Sequence, residues 1–203
     1  VYFNDYGNDR IRKIDIHGVI STYAGTGESG FSGDGGPAAK AQINDVYGLA
    51  IDKDDNLYFV DSLNFAVRKV SSATGTITTV IGKGIPGEAV EHELVADAFL
   101  GGVAHQKGTT GGEVPHGLDV DRFGNLFIAD TGINRIRMID VNQNRLFTIA
   151  GTGVRGYSGD GGAALHAKLS IQGLRIDAKG NLYFLDFQHH IIRKITFDIG
   201  SSK

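Results

Sequence analysis

The sequence predicts an all-β chain: a β-propeller of four-stranded antiparallel blades. Three observations point to it: an internal repeat, short β-branched and aromatic runs inside each repeat, and glycine at the boundaries of those runs. The repeat is anchored by Val1-Tyr2-Phe3-Asn4-Asp5, Leu57-Tyr58-Phe59-Val60-Asp61, Leu126-Phe127-Ile128-Ala129-Asp130 and Leu182-Tyr183-Phe184-Leu185-Asp186. From Tyr2 to Tyr58 is 56 residues, from Tyr58 to Phe127 is 69, and from Phe127 to Tyr183 is again 56. The unit is therefore 56 residues, and the second unit carries an insertion, placed at 85–115.

Each unit opens on a Gly-Leu-x-Ile/Val-Asp strand: Gly48 to Asp52, Gly117 to Asp121, Gly173 to Asp177. A tight turn such as Arg122-Phe123-Gly124 follows, in which Gly supplies positive φ. The Asn-Leu-aromatic-x-x-Asp strand comes next, then a turn of about four residues and a third strand such as Arg135 to Asp140. The fourth strand is Val19 to Gly25 or Leu146 to Gly151. Four-stranded units in series are the pattern of a propeller, one blade per unit. The boundaries fall at 1–47, 48–116, 117–172 and 173–203 of one domain.

Between units run glycine-rich segments, Gly25 to Ala39 and Gly151 to Ala164, both containing Ser-Gly-Asp-Gly-Gly. Ala38 to Ile43 and Ala163 to Leu169 have the composition of one or two helical turns after each loop. The second unit carries no Ser-Gly-Asp-Gly-Gly, and Glu88 to Ala98 in its insertion reads as a short charged helix. The first unit lacks its first strand and the fourth its last. The chain begins at Val1 inside a strand-like run, as a processed or partial chain does. The expectation is about three and a half blades of a six- or seven-bladed ring, which at six units needs about 336 residues. A closed four-bladed ring and a pair of half-rings are the alternatives. Remaining blades or a second chain are needed to close the ring and remove its exposed edges.

The Gly-Asn-Leu-Tyr-Phe-x-Asp strands, the Arg10 to Lys13 and Ile192-Arg193-Lys194 segments, and the Gly-Phe/Tyr-Ser-Gly-Asp-Gly-Gly loops resemble the NHL-repeat propellers. The resemblance is closest to the bacterial type with long inter-blade loops, and a similar propeller occurs in teneurin-like surface proteins. It covers nearly the whole chain outside the insertion. It implies a binding module, often exported, so an extracellular or periplasmic location. Related propellers include lyases and hydrolases, and some bind single-stranded RNA.

The composition narrows these classes. Lys and Arg number 20 against 23 Asp and Glu, a net charge of −3, without the basic excess of a nucleic-acid binder. No apolar run reaches transmembrane length. The absence of Cys excludes disulfides, zinc–thiolate sites and a Cys nucleophile. No Gly-x-Ser-x-Gly elbow or Gly-Lys-Ser/Thr phosphate loop is present.

Seven residues after each repeat Asp comes an Arg, giving Asp5 with Arg12, Asp61 with Arg68, Asp130 with Arg137 and Asp186 with Arg193. With a four-residue turn, Phe59 faces Arg68 and Asp61 faces Ala66, which puts Asp61 and Arg68 diagonally on one sheet face. One such pair per unit reads as a structural ion pair; a ring of Arg around an anionic ligand is the alternative. Asp34 and Asp160 in the glycine loops read as caps of the following helical turn, with one hard-oxygen Ca2+ site per loop as the alternative. No other cofactor is indicated. Glu88, Glu91, His92, Glu93, His105 and His116 are the non-repeating chemistry and the candidates for partner or metal contact. His189-His190 stand where the resemblance implies Asn-His. The leading function is a non-enzymatic binding or scaffold module for a protein or glycan. A metal-dependent lyase or hydrolase using channel-facing His and acidic residues is the second reading, and RNA binding the third.

Overall fold

A computed structural model describes residues 1–87, 90–101 and 114–197. These form fourteen strands in four antiparallel sheets, each ordered as a meander. The first sheet holds β1 (Tyr2–Asp5), β2 (Arg10–Ile14) and β3 (Ile20–Ala24). The second holds β4 (Val46–Ile51), β5 (Leu57–Asp61), β6 (Ala66–Val70) and β7 (Ile77–Ile81). The third holds β8 (Leu118–Val120), β9 (Leu126–Asp130), β10 (Arg135–Asp140) and β11 (Arg145–Ala150). The fourth holds β12 (Ile171–Ile176), β13 (Leu182–Asp186) and β14 (Ile191–Ile195). This is the architecture of propeller blades, and no closed ring forms among the described residues.

The repeated polar residues shape the turns. Asp52 accepts the amides of Asp54 and Asn56, and the Asn56 side chain donates back to Asp52 at 2.8 Å. Asp121 with Asn125 and Asp177 with Asn181 repeat the arrangement. These side-chain loops reinforce the backbone bond from each Asp amide to the Asn carbonyl that closes the turn. The second turn is a single 3-10 turn, 62–64, 131–133 or 187–189, closed by a left-handed residue: Phe65, Asn134 or His190. That turn sets the register, with Phe59 opposite Arg68 and Asp61 opposite Ala66.

Innermost strand β4 packs against β8 and β8 against β12, and β1 packs against β4, forming a hub. Backbones approach closely there. A Cβ at Gly48 would lie 2.6 Å from the His116 carbonyl oxygen, and one at Gly117 would lie 2.9 Å from the Gly173 Cα, so Gly is required at those two positions, whereas Gly173 has open space beside it. Three apolar cores lie between successive sheets. The first includes Ile11, Leu57 and Phe59 with Ala38, Ala41 and Ile43 of the first glycine loop. The third includes Ile136, Leu174 and Phe184 with Ala167 and Leu169 of the last loop. The second includes Val60, Val67 and Ile128 with Val95, Ala98 and Leu100.

The expected caps and the expected 88–98 helix are corrected. The Ala-rich segments form one 3-10 turn each, Ala38–Lys40 and Ala164–His166, with Pro37 and Ala163 as N-caps and no capping side chain. Asp34 and Asp160 therefore do not cap. In the 88–98 segment, residues 90–98 form no helix; Glu88 lies outside the described residues. Their backbone is used for pairing instead: His92 and Val95 donate to the Leu146 and Asn144 carbonyls, and Leu146 donates to Glu93.

Candidate functional site

The ion pairs are embedded in a larger clamp. Arg68 Nη1 lies 3.2 Å from Asp61 Oδ2 within one sheet. Its Nη2 leaves the sheet to reach the preceding loop, donating to the Ser32 carbonyl at 3.0 Å and to Asp34 Oδ1 at 2.7 Å. Phe31 covers the guanidinium face, its ring centre 4.9 Å away. The other Asp34 oxygen accepts the amide of Thr79, which sits opposite Arg68 on β7. The loop motif thus supplies an aromatic face, a carbonyl and a carboxylate to one buried cation. Gly33 and Gly35, at φ +94° and +82°, permit the turns that aim Asp34 sideways.

Arg193 repeats the clamp. It meets Asp186 at 3.2 Å, the Ser158 carbonyl at 2.8 Å and Asp160 at 2.6 Å, under the Tyr157 ring. Hydrogen bonds from Tyr157 and Arg193 hold the Asp160 carboxyl below the usual range. Burial pushes the Asp61 carboxyl up to about 6, against the pull of Asn44, Asn64 and Arg68. His189 Nδ1 donates to Asp186 Oδ1 over 2.6 Å, the place that Asn64 takes at Asp61 and Asn8 at Asp5.

The third sheet has no Ser-Gly-Asp-Gly-Gly loop, yet an acid reaches its arginine from the preceding segment. Glu91 Oε1 lies 3.4 Å from Arg137 Nη1, and Glu91 also accepts the Thr148 amide and hydroxyl. Thr148 sits opposite Arg137 as Thr79 sits opposite Arg68. Burial raises the Glu91 carboxyl, but Thr148 and the charges of Arg137 and Arg135 bring it below its usual range. The backbone coincides as well. The bridge Leu94 to Arg145 matches Pro37 to Thr76, and His92 to Leu146 matches Gly35 to Ile77. The Gly101 amide donates to Asp130 as the Asn44 amide donates to Asp61. Residues 90–101 therefore occupy the place of 33–44, and the extra length of this unit falls after Gly101 rather than from Ile85.

The remaining candidates separate. Glu93 accepts the Val90 amide, and the His92 ring stands edge-on to Phe147 with centres 4.9 Å apart. His105 lies outside the described residues, as Glu88 does. No group of three His, Cys, Asp or Glu able to hold a metal occurs among the described residues. His116 goes to the hub instead. It is buried, its Nδ1 is 2.7 Å from the Val114 carbonyl, and burial lowers its pKa. The Nδ1 contact assigns that nitrogen as the donor and leaves Nε2 as an acceptor.

His116 precedes the repeated Gly117, as Tyr47 precedes Gly48 and Gln172 precedes Gly173. One repeat position thus carries three different side chains at the hub. The Tyr47 ring meets His116 and Tyr6 in tilted contacts, with ring centres 4.3 Å and 5.7 Å apart. Tyr47, His116, Gln172 and Arg175 line a mostly apolar cavity of about 620 Å3 that continues to Tyr183 and Leu185. Tyr47 and Gln172 were not singled out from sequence; the signal available was variation beside an invariant Gly of the repeat.

No family model matches the chain. It is 30% identical over 149 residues to the Arabidopsis thaliana protein SUPPRESSOR OF QUENCHING 1, chloroplastic, covering 70% of this chain and 13% of that one. It is 28% identical over 219 residues to human Teneurin-1, covering 97% of this chain and 8% of that one. A Bacteroides thetaiotaomicron structure of unknown function superposes with a TM-score of 0.70 at 22% identity, over 95% of this chain and 43% of that one. An auxiliary nutrient binding protein from Bacteroides ovatus gives 0.61 at 15%, over 96% and 44%. The chain thus spans a small part of these curated relatives and under half of these solved chains. With the four meander sheets, these likenesses place it among propeller folds. No helix of the described residues is long and apolar enough to cross a membrane.

Proposed function

We propose that the chain is a non-enzymatic binding module of the NHL type, from an exported protein. It contacts a protein or glycan partner through the hub face around Tyr6, Tyr47, His116 and Gln172 and through the 85–115 segment. One observation carries this reading. The repeated charged residues are spent inside the clamps, whereas the variable hub position presents aromatic, imidazole and amide groups to a cavity of about 620 Å3. Apolar concavities with a few polar groups are where ligands bind. The nutrient-binding role stated for one fold neighbour and the surface-protein resemblance support a binding role and export.

The test is titration with a panel of soluble oligosaccharides and with candidate surface proteins, followed by tyrosine fluorescence. Saturable binding that weakens about tenfold in Tyr47→Ala, the scale of one lost anchor, is the expected result. Turnover of a lactone or glycan by the metal-loaded chain, abolished in His116→Ala, would overturn it in favour of the enzyme reading.

A further inference from the structure

The outer edge of the third sheet holds a concavity apart from the hub. Glu91, His92, Arg135, Phe147, Thr148 and Leu165 line a cavity of about 510 Å3 where the 90–101 segment and the last glycine loop meet β11. The second and fourth sheets pack on either side of the third, so this edge keeps both its neighbours. The repeat supplies an internal control. At the places of His92, Arg135, Phe147 and Leu165, the second sheet and its loops carry Gly35, Ala66, Thr78 and Ala96. All four side chains are larger around the third sheet, and all four converge on one cavity.

His92 holds φ +62° at a place where glycine serves in the other loop, and strained backbone positions cluster where ligands are held. Its amide donates to the Leu146 carbonyl and its carbonyl accepts Arg145, so the backbone is pinned on both sides. The ring is thereby set edge-on to Phe147, and Leu165 stands across the cavity from the sheet. Charge is divided between the walls. Glu91 turns both oxygens to Arg137 and Thr148. Arg135 brings a guanidinium to the cavity, and its planar fork of five donors matches a carboxylate.

We propose that this cavity binds a small planar aromatic carboxylate, with the ring against Phe147, His92 and Leu165 and the carboxylate on Arg135. A mostly apolar concavity of this volume with one placed charge is the form of a small-molecule site. An uncharged aromatic leaves the guanidinium unused, and an aliphatic acid leaves the aromatic wall unused. The site takes two residues of the 85–115 segment and none of the hub, and its class of ligand differs from the hub's, so it stands independently of that reading.

The test is calorimetric titration of the 203-residue chain with 2-naphthoate, and with 2-naphthylmethanol as its uncharged counterpart. The expected result is saturable one-to-one binding of the acid. Affinity falls about tenfold or more for the alcohol and in Arg135→Ala, the scale of a hydrogen bond to a charged group. It falls about tenfold in Phe147→Thr and about fivefold in Leu165→Ala, through lost apolar contact. Each variant takes the residue that stands at the same place around the second sheet, and thermal unfolding checks that it folds. Leu165 is exposed, so its variant carries the readout even if a more buried one unfolds. Tyr47→Ala at the hub leaves the affinity unchanged. Equal affinity for the alcohol, binding unchanged in Arg135→Ala or Leu165→Ala, binding abolished by Tyr47→Ala, or no saturable binding overturns the proposal.

Discussion

The loops that enter the second and third sheets differ in nearly every residue and place a carboxylate at the same arginine and threonine positions. Before the second sheet, Ser32, Asp34 and flanking glycines aim a carboxylate at Arg68. Before the third, Glu91 reaches Arg137 from a segment without that motif. The constant elements are the spacing and the contacts. Seven residues after the acid comes a core alanine, Ala41 or Ala98, then Ile43 or Leu100. The comparison teaches that the clamp is specified by where an acid stands relative to the next buried residues, and that the glycines are one solution to the turn among several.

The comparison breaks first at the cation. Arg68→Met should cost about 3–5 kcal/mol in urea unfolding, because Asp61 is left charged and buried. Arg137→Met should cost a similar amount if Glu91 completes the same clamp. A smaller effect sharpens the equivalence. Asp34→Asn and Glu91→Gln should each cost about 1 kcal/mol, since both acids are partly exposed and solvent screens them. A neutral Glu91→Gln would show that its contacts carry no stability. Next comes the backbone. His92, at φ +62°, stands in the place of Gly35, at φ +82°. Gly35→Ala should cost about 1–2 kcal/mol from the left-handed conformation. His92→Gly should stay within about 0.5 kcal/mol, relief of that strain offsetting the lost edge contact with Phe147. Thermal unfolding of Gly35→Ala and His92→Gly decides it.

The smallest expected effect concerns the hub. The folded pKa of His116 is depressed below 6.5 by burial. The unfolded chain therefore binds the proton first, and the neutral ring's contribution to stability is lost as pH falls through 6.5. Unfolding midpoints should fall more steeply on acidification in the parent chain than in His116→Gln. Identical profiles would place the ring in contact with water.

The repeat made the strands, the register and the Asp–Arg diagonals readable, because alternation and turn length fix which residues face each other. Phe59 opposite Arg68 follows from counting across a turn. The second half of each clamp was not readable. Asp34 lies 34 residues before Arg68, and an acid just ahead of an Ala-rich run carries the local signature of a cap. Positive φ at Gly33 and Gly35 turns it away from the 3-10 turn and onto the next sheet. The helix read over 88–98 fails for a related reason: the charge pattern suggests a helical face, but pairing of His92, Glu93 and Val95 with the edge of the third sheet satisfies the backbone. At the hub, His116 attracted notice as a histidine, while Tyr47 and Gln172 became meaningful once three strands met at one axis.

Each clamp crosses from a loop into the sheet that follows it, and this has a consequence for how such genes grow. A duplication or exchange cut at the edges of a sheet separates a buried arginine from its acid and strands a charge in the core. One that carries the loop along with the sheet behind it transfers a self-sufficient piece. The heritable module of this protein is therefore offset from the visible blade by one connection. Recombination breakpoints between related sequences should cluster just before the glycine loops.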